Sequence, residues 1–331
     1  MRLTIFISLA VIFLTACSHT TKIQTLKPAQ ITRAAKIKTI AVYRFKNDNI
    51  NLSSKIESSL AAKKVNNKNY FTMISHSDID KVFQEQRLQD SGLLDESSSV
   101  EVGNLLGAQA LISGIVSSAE AVNNYYKVKR TKCIDKKCKE TRVYYVNCVE
   151  RTFNIAAQIK MVDIEKGDII YSDNIKETSS SSKCNDRSNT LVSKAYGLEL
   201  LSSKIASKFA KLLTPNQIEI NVVLLDEADI KYTDKQEQML ENAIKYIDYK
   251  RYEKSKRILS KLLESTNDKS YVAAYNLGVV QEIDGDLTKA KQLYLLADDL
   301  SQEPIEEINL AITRINKSIG DEIILKEQMK R

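Results

Sequence analysis

The sequence predicts an α/β domain, a single sheet flanked by helices and extended by a β-hairpin arm, followed by an all-α domain of helical repeats. Three observations carry this. Between residues 36 and 226, stretches rich in β-formers alternate with stretches of helical period. Between Ser117 and Asn154, a basic, cysteine-bearing segment continues the strand alternation as an arm. From 232 to 320 the pattern is helical throughout, and small residues return at a spacing near 34. A chain of 331 residues with 43% hydrophobic and 27% charged residues has enough apolar sequence for two packed domains.

The first sixteen residues, "MRLTIFISLAVIFLTA", form a separate segment. Arg2 supplies a positive end, Leu3 to Phe13 an apolar run, and small residues precede Cys17, the organisation of a secretory signal. The run is too short for a stable membrane span. Leu14-Thr15-Ala16-Cys17 resembles the lipobox of bacterial lipoproteins, which implies cleavage before Cys17 and acylation of that residue. Several acyl chains anchor durably, since each buried methylene contributes ~0.8 kcal/mol and one chain alone binds marginally. By resemblance to known lipoprotein sorting rules, Ser18 stands where an aspartate would favour inner-membrane retention, which implies the periplasmic face of the outer membrane as the expected address. Residues 17–35, polar and containing Pro28, read as a tether.

Export sets the reading of the remaining cysteines. Cys133, Cys138, Cys148 and Cys184 are an even set in an oxidising compartment, so disulfides are expected. Three connectivities are open. Cys133 and Cys138 enclose "IDKK", a spacing that suits a hairpin tip and leaves Cys148 for Cys184. A metal site is disfavoured: no pair has CxxC spacing, and the two histidines, His19 and His76, lie far away in sequence. The net charge of +7 is mild and scattered, and gives no case for nucleic acid. Export argues against it independently.

In the first domain, "KIKTIAVYRF" (36–45) reads as a strand, "NLSSKIESSLAAKK" (51–64) as a helix with Leu52, Ile56 and Leu60 on one face, and "NYFTMIS" (69–75) as a second strand. Ser77, Asp78 and Asp80 open a helix over 77–89, as a cap and first-turn carboxylates should. "GAQALISGIV" (107–116) is a third strand, apolar enough to be central. "DIEKGD" (163–168) reads as a strand connection turning at Gly167. Residues 191–215 form a long amphipathic helix ending at Pro215, whose apolar stripe should pack on the sheet. Lys204, Lys208 and Lys211 share its polar face. "IEINVVLL" (218–225) supplies a last strand.

Four of these segments, "IAVYRFKNDN", "MISHSDIDKVFQEQRLQDSGLLD", "EVGNLLGAQALISGIV" and "FNIAAQIKMVDIEKGDIIYSD", occur in the order seen in the curli assembly and secretion lipoprotein family. The chain resembles that family's CsgG-like domain over residues 36–226, with Gly107-Ala108, Gly114, Asp163 and Gly167 at matching places. His76 stands where many relatives carry arginine, so a role tied to that arginine does not transfer. The resemblance implies an oligomer. In the family's best-known members it also implies a ring-shaped channel, each subunit adding two amphipathic hairpins to an outer-membrane barrel. A membrane strand needs ~9 to 11 residues with apolar alternate positions. Here the rising arm sets Tyr126, Val128 and Arg130 on one face and Tyr125, Lys127 and Lys129 on the other. The returning arm carries Val143, Tyr145, Val149, Phe153 and Ile155 on one face, interrupted by Asn147 and Arg151. The second candidate, "NIKETSSSSKCNDRSNT" (174–190), is polar on both faces. A periplasmic arm is expected rather than a lipid-exposed hairpin.

In "AAYNLGVVQEIDGDLTKAKQLYLLADDL", Gly278, Gly285, Ala290 and Ala297 stand at the spacings of a tetratricopeptide unit, where small residues let two antiparallel helices approach closely. Thirty-five residues earlier, Ala243 precedes Ser255 by the twelve positions that separate Gly278 from Ala290. "PIEEINLAITRINKSI" reads as the capping helix. No Ser/His/Asp order, phosphate-cradling glycine loop or metal spacing appears, so no catalytic residue, cofactor or metal is expected. The expected function is a non-enzymatic assembly or transport factor, anchored through Cys17 and binding protein partners through its repeats. The alternative is a secretion channel for curli-like subunits.

Overall fold

The computed structural model of the protein describes residues 19–74 and 95–330. The expected signal segment, Cys17, His76 and the expected helix at 77–89 lie outside the described residues. Two compact units are present. One comprises residues 28–216 and 324–330, the other residues 19–27 and 217–323. β1 (Thr20–Lys27) belongs to the second unit.

The first unit contains α1 (Thr32–Lys36), β2 (Thr39–Val42), α2 (Leu52–Ala61), β3 (Lys64–Val65), β4 (Lys68–Asn69), β5 (Thr72–Ile74), α3 (Glu96–Leu106), β6 (Ala110–Cys133), β7 (Thr141–Asp163), β8 (Asp168–Cys184) and α4 (Lys194–Leu213). Its mixed five-stranded sheet has the order β5-β2-β6-β7-β8, with β2 parallel to both neighbours and β6, β7 and β8 antiparallel in succession. Alternation separates two cores. Ile40, Val42, Ala110 and Ile112 join Phe153, Ile155 and Ile159 of β7 beneath α2 and α4, which contribute Ile56, Leu60, Ile205 and Phe209. Ala41, Leu111 and Ile164 face the other way, onto Val102 of α3. The periodic segments at 51–64 and 191–215 thus contain the helices α2 and α4, and the stripe of α4 packs on the sheet. α3 escaped the periodicity reading because three serines open it; Asp95 caps it, accepting from Ser98 N.

Residues 17–35 are not a tether where the structure describes them. Thr20–Lys27 pairs as β1 with β9 (Asn216–Val223) in a two-stranded ribbon, and Thr32–Lys36 is helical. The strand was illegible because only two of its residues, Thr21 and Ile23, are buried, and one of those is polar. The same pairing assigns the strand expected at 218–225 to the second unit, so the α/β unit stops before residue 226.

The second unit consists of that ribbon with α5 (Asp234–Asp248), α6 (Tyr252–Ser265), α7 (Tyr271–Ile283), α8 (Leu287–Leu300) and most of α9 (Glu306–Gln328). Thr233 and Gln236 close a capping box on α5, while Ser270 and Asp286 cap α7 and α8. The helix expected at 304–319 runs on past 320. Its residue Gln328 belongs to the α/β unit, where the side chain accepts from Ala29 N at 2.8 Å and donates to Ala29 O at 3.1 Å.

Candidate interaction surfaces

The arm grows out of the central sheet by simple continuation. β6 and β7 pair from Ala110↔Asp163 to Cys133↔Thr141, interrupted by a bulge at Ser117, while β8 stops at Cys184 opposite Cys148. Beyond Tyr126 and Cys148 the arm is therefore a two-stranded ribbon. The structure joins Cys148 to Cys184, with Cα atoms 4.0 Å apart, and Cys133 to Cys138, 4.8 Å apart. Val128 and Val146 pack on the first cystine. At the tip, the Asp135 carboxylate accepts from the backbone N of Glu140 at 3.1 Å and of Lys137 at 3.2 Å, which holds the turn, and these bonds, that from Glu140 foremost, keep this acid below its ordinary range.

Register assigns every side chain of the ribbon to a face. Tyr125, Lys127, Lys129 and Thr131 stand with Val149, Asn147, Tyr145 and Val143; Tyr126, Val128, Arg130 and Lys132 stand with Cys148, Val146, Tyr144 and Arg142. Neither face carries an apolar band. The polar segment 174–190 is not a hairpin: its first part is β8, an edge strand pairing with β7, and residues 185–190 lie outside helix and strand.

The base of the arm is held by α4. A Cβ on Gly197 would lie 2.1 Å from the Phe153 ring, so only glycine lets this helix approach the strand so closely. Arg151, the cation that interrupts the apolar face of β7, donates to Val192 O at 2.6 Å and Asn123 Oδ1 at 2.8 Å. Lys204 and Lys208 of α4 both pair with Glu177 of β8, Lys204 at 2.8 Å. These hydrogen bonds, that from Lys204 foremost, hold the Glu177 carboxyl below its usual range. Two of the three lysines on the polar face of α4 are thus engaged within the fold.

Asp163 and Gly167 lie at the turn from β7 to β8. There Arg33 of α1 donates to Asp168 Oδ2 at 2.7 Å and Asp163 Oδ2 at 2.8 Å. The bond to Asp168 leads in raising the guanidinium above its ordinary value. The turn is a bracing point. Arg33 was missed because it lay in the expected tether.

In the helical unit, four of the six residues read as packing contacts lie against one another, Ser255 with Ala243 and Gly278 with Ala290. Ser255 Oγ donates to Ala243 O at 2.9 Å, both residues being fully buried. Twelve positions separate their counterparts Gly278 and Ala290. A Cβ on Gly278 would lie 2.7 Å from the Tyr294 ring and 3.4 Å from Ala290 O. Gly285 takes a φ of +86° in the turn between α7 and α8, and Ala297 is fully buried. One face of α7 is covered by the chain itself. Asn276 of α7 donates to Leu225 O at 2.6 Å and accepts from Leu225 N at 3.1 Å, and the Tyr275 hydroxyl donates to Val223 O at 2.8 Å. Residues 223–225 of the chain itself thus occupy this face of α7.

Among the described residues, no three His, Cys, Asp or Glu side chains converge as metal ligands would, and no helix is long and apolar enough to cross a membrane. Residues 22–124 match the family described as curli production assembly/transport component CsgG. The chain carries a CsgG-like domain. The match begins in β1, ahead of residue 36, and ends within β6, short of β7 and β8. No curated protein matches the chain. Solved structures that match include lipoprotein GNA1162 from Neisseria meningitidis, at 13% identity and a TM-score of 0.27, covering 52% of this chain and 98% of that one. LpoB of E. coli matches at 14% identity and 0.27, covering 48% and 71%. The hypothetical protein CT253 from Chlamydia trachomatis matches at 13% and 0.27, covering 54% and 98%.

Proposed function

We propose that the protein is a lipoprotein of the cell envelope that serves, without catalysis, as an assembly or transport factor for an envelope or surface structure. The CsgG-like domain carries this reading. Two cystines are consistent with an oxidising compartment. Cys17 is the proposed anchor, the periplasmic face of the outer membrane the proposed address, and self-association through the CsgG-like domain the proposed assembly. The helical unit, read as tetratricopeptide-like, would engage protein partners through surfaces other than the face of α7 that β9 covers.

The arm favours the tethered form over the channel. A lipid-facing strand would have to place Lys127 and Lys129, or Arg130, Lys132 and Arg142, against acyl chains, at about 2–4 kcal/mol for each near the midplane. Planar-bilayer recording of the full-length, lipidated protein tests this. Silence is the expected result; reproducible large unitary currents would replace the tethered factor with a secretion channel. A defined hydrolytic activity in the purified protein would overturn the non-enzymatic part.

A further inference from the structure

We propose that the tip of the β6–β7 arm is a docking finger for an anionic phospholipid surface. This goes beyond the assembly role and rests on the arm alone. From Lys127 to Arg142 the chain carries eight lysines and arginines against two acids, Asp135 and Glu140. Asp135 is engaged by the backbone of the turn. Of the eight cations, only Arg130 has an acidic partner among the described residues, Asp186 at 3.0 Å.

The placement of the charge identifies the partner. Lys127 and Lys129 point from one face of the ribbon, Arg130, Lys132 and Arg142 from the other, and Lys136, Lys137 and Lys139 crowd the turn. Charge facing in every direction offers no oriented cleft to a rigid acidic protein. It suits a plane of mobile headgroups, which gather round a basic segment wherever its cations lie. At the turn, Ile134 is 63% exposed between Cys133 and the lysines. Tyr125 and Tyr145 stand on one face, 75% and 68% exposed. Tyrosine rings favour the headgroup level, and an apolar residue at the apex gains by entering the acyl boundary while its basic neighbours stay with phosphate. Both cystines brace the finger, so little ordering entropy is lost on docking.

The sequence contains no tryptophan, so Ile134→Trp makes the tip a unique reporter in the full, lipidated chain. The protein is held by its anchor in vesicles of phosphatidylcholine alone or with added phosphatidylglycerol. Tyr249→Trp, at a residue 76% exposed in the helical unit, is the control. The expected result is a blue shift at position 134 with phosphatidylglycerol only, reversed by high salt and quenched by bromines placed shallowly in the lipid. Changing Lys136, Lys137 and Lys139 together to Gln lowers the docking equilibrium by roughly 100-fold, read as loss of the shift. An equal shift in phosphatidylcholine, no shift at all, or a response to soluble polyglutamate but not to vesicles would each overturn the proposal, the last in favour of an acidic protein. Quenching from the bilayer centre would overturn it in favour of a spanning hairpin and would accompany conductance. No shift together with silent bilayers would sink the finger and leave the assembly factor standing.

Discussion

The arm and helix α7 are opposite solutions to the same problem of holding a chain segment in one conformation. Every residue of α7 from Val272 to Glu282 is buried, its faces covered by neighbouring helices and by the chain's own β9. The outer arm buries almost nothing: of the residues from Lys127 to Asn147, Val146 alone is fully buried. It is held by a ladder of backbone hydrogen bonds and two cystines. Burial makes α7 sensitive to any lost partner, whereas the arm tolerates changes of side chain and depends on its staples. The arm can therefore carry a surface of chosen charge, and α7 cannot.

Removing a buried partner in the helical unit should break the comparison most strongly. Glu282 accepts from Arg314 Nη2 at 2.9 Å and from the Tyr294 hydroxyl at 2.7 Å, with side-chain exposures of 3% for Glu282 and 13% for Arg314. Burial pulls the Arg314 guanidinium down, but the hydrogen bond to Glu282 together with the electrostatic attraction of Glu282, Tyr294 and Tyr275 outweighs it, and the guanidinium ends above its ordinary value. Glu282→Ala leaves a buried cation unpaired and should destabilise the unit by about 3–5 kcal/mol in denaturant unfolding. A loss under about 1 kcal/mol would show that Arg314 reaches water.

On the arm side, replacing Cys148 and Cys184 by serine should cost about 2–4 kcal/mol and speed amide exchange in Tyr125–Cys133. The pair Cys133 and Cys138 closes a shorter loop and should cost less. The reverse order would mean that the tip, rather than the edge of β8, limits the arm. At the base, Gly197→Ala drives a methyl into the Phe153 ring and should cost about 1–3 kcal/mol, measured by thermal unfolding.

The smallest effect is in pH. Glu177 is held below its ordinary value in the folded state, so its contribution is complete above the unfolded value near pH ~4.3 and is lost as pH falls through the folded one. Glu177→Gln should flatten the acid limb of the stability profile while leaving stability at high pH lower. An unchanged limb would mean that other carboxylates govern it.

Several features were legible because they obey a short period. Leu52, Ile56 and Leu60 announced α2, and the twelve-residue spacing of Ala243 to Ser255 and Gly278 to Ala290 announced the helix pairs. β1 was illegible, since two inward residues in a polar stretch make no period and its partner lies near residue 220. Arg151 looked like a defect in an apolar face; only the fold reveals that it meets Val192 O.

By itself the sequence determined most of the local elements, the even set of cysteines and the order of an α/β part before a helical one, because each rests on residues close together in the chain. Tertiary structure decided which segments belong together. β1 was assigned to β9, Arg33 to the turn at Asp163, Gln328 to Ala29, and the face of α7 to the chain's own ribbon. Such pairings span up to some 300 residues and are selected by shape, register and the satisfaction of buried polar groups, none of which leaves a periodic trace in the sequence.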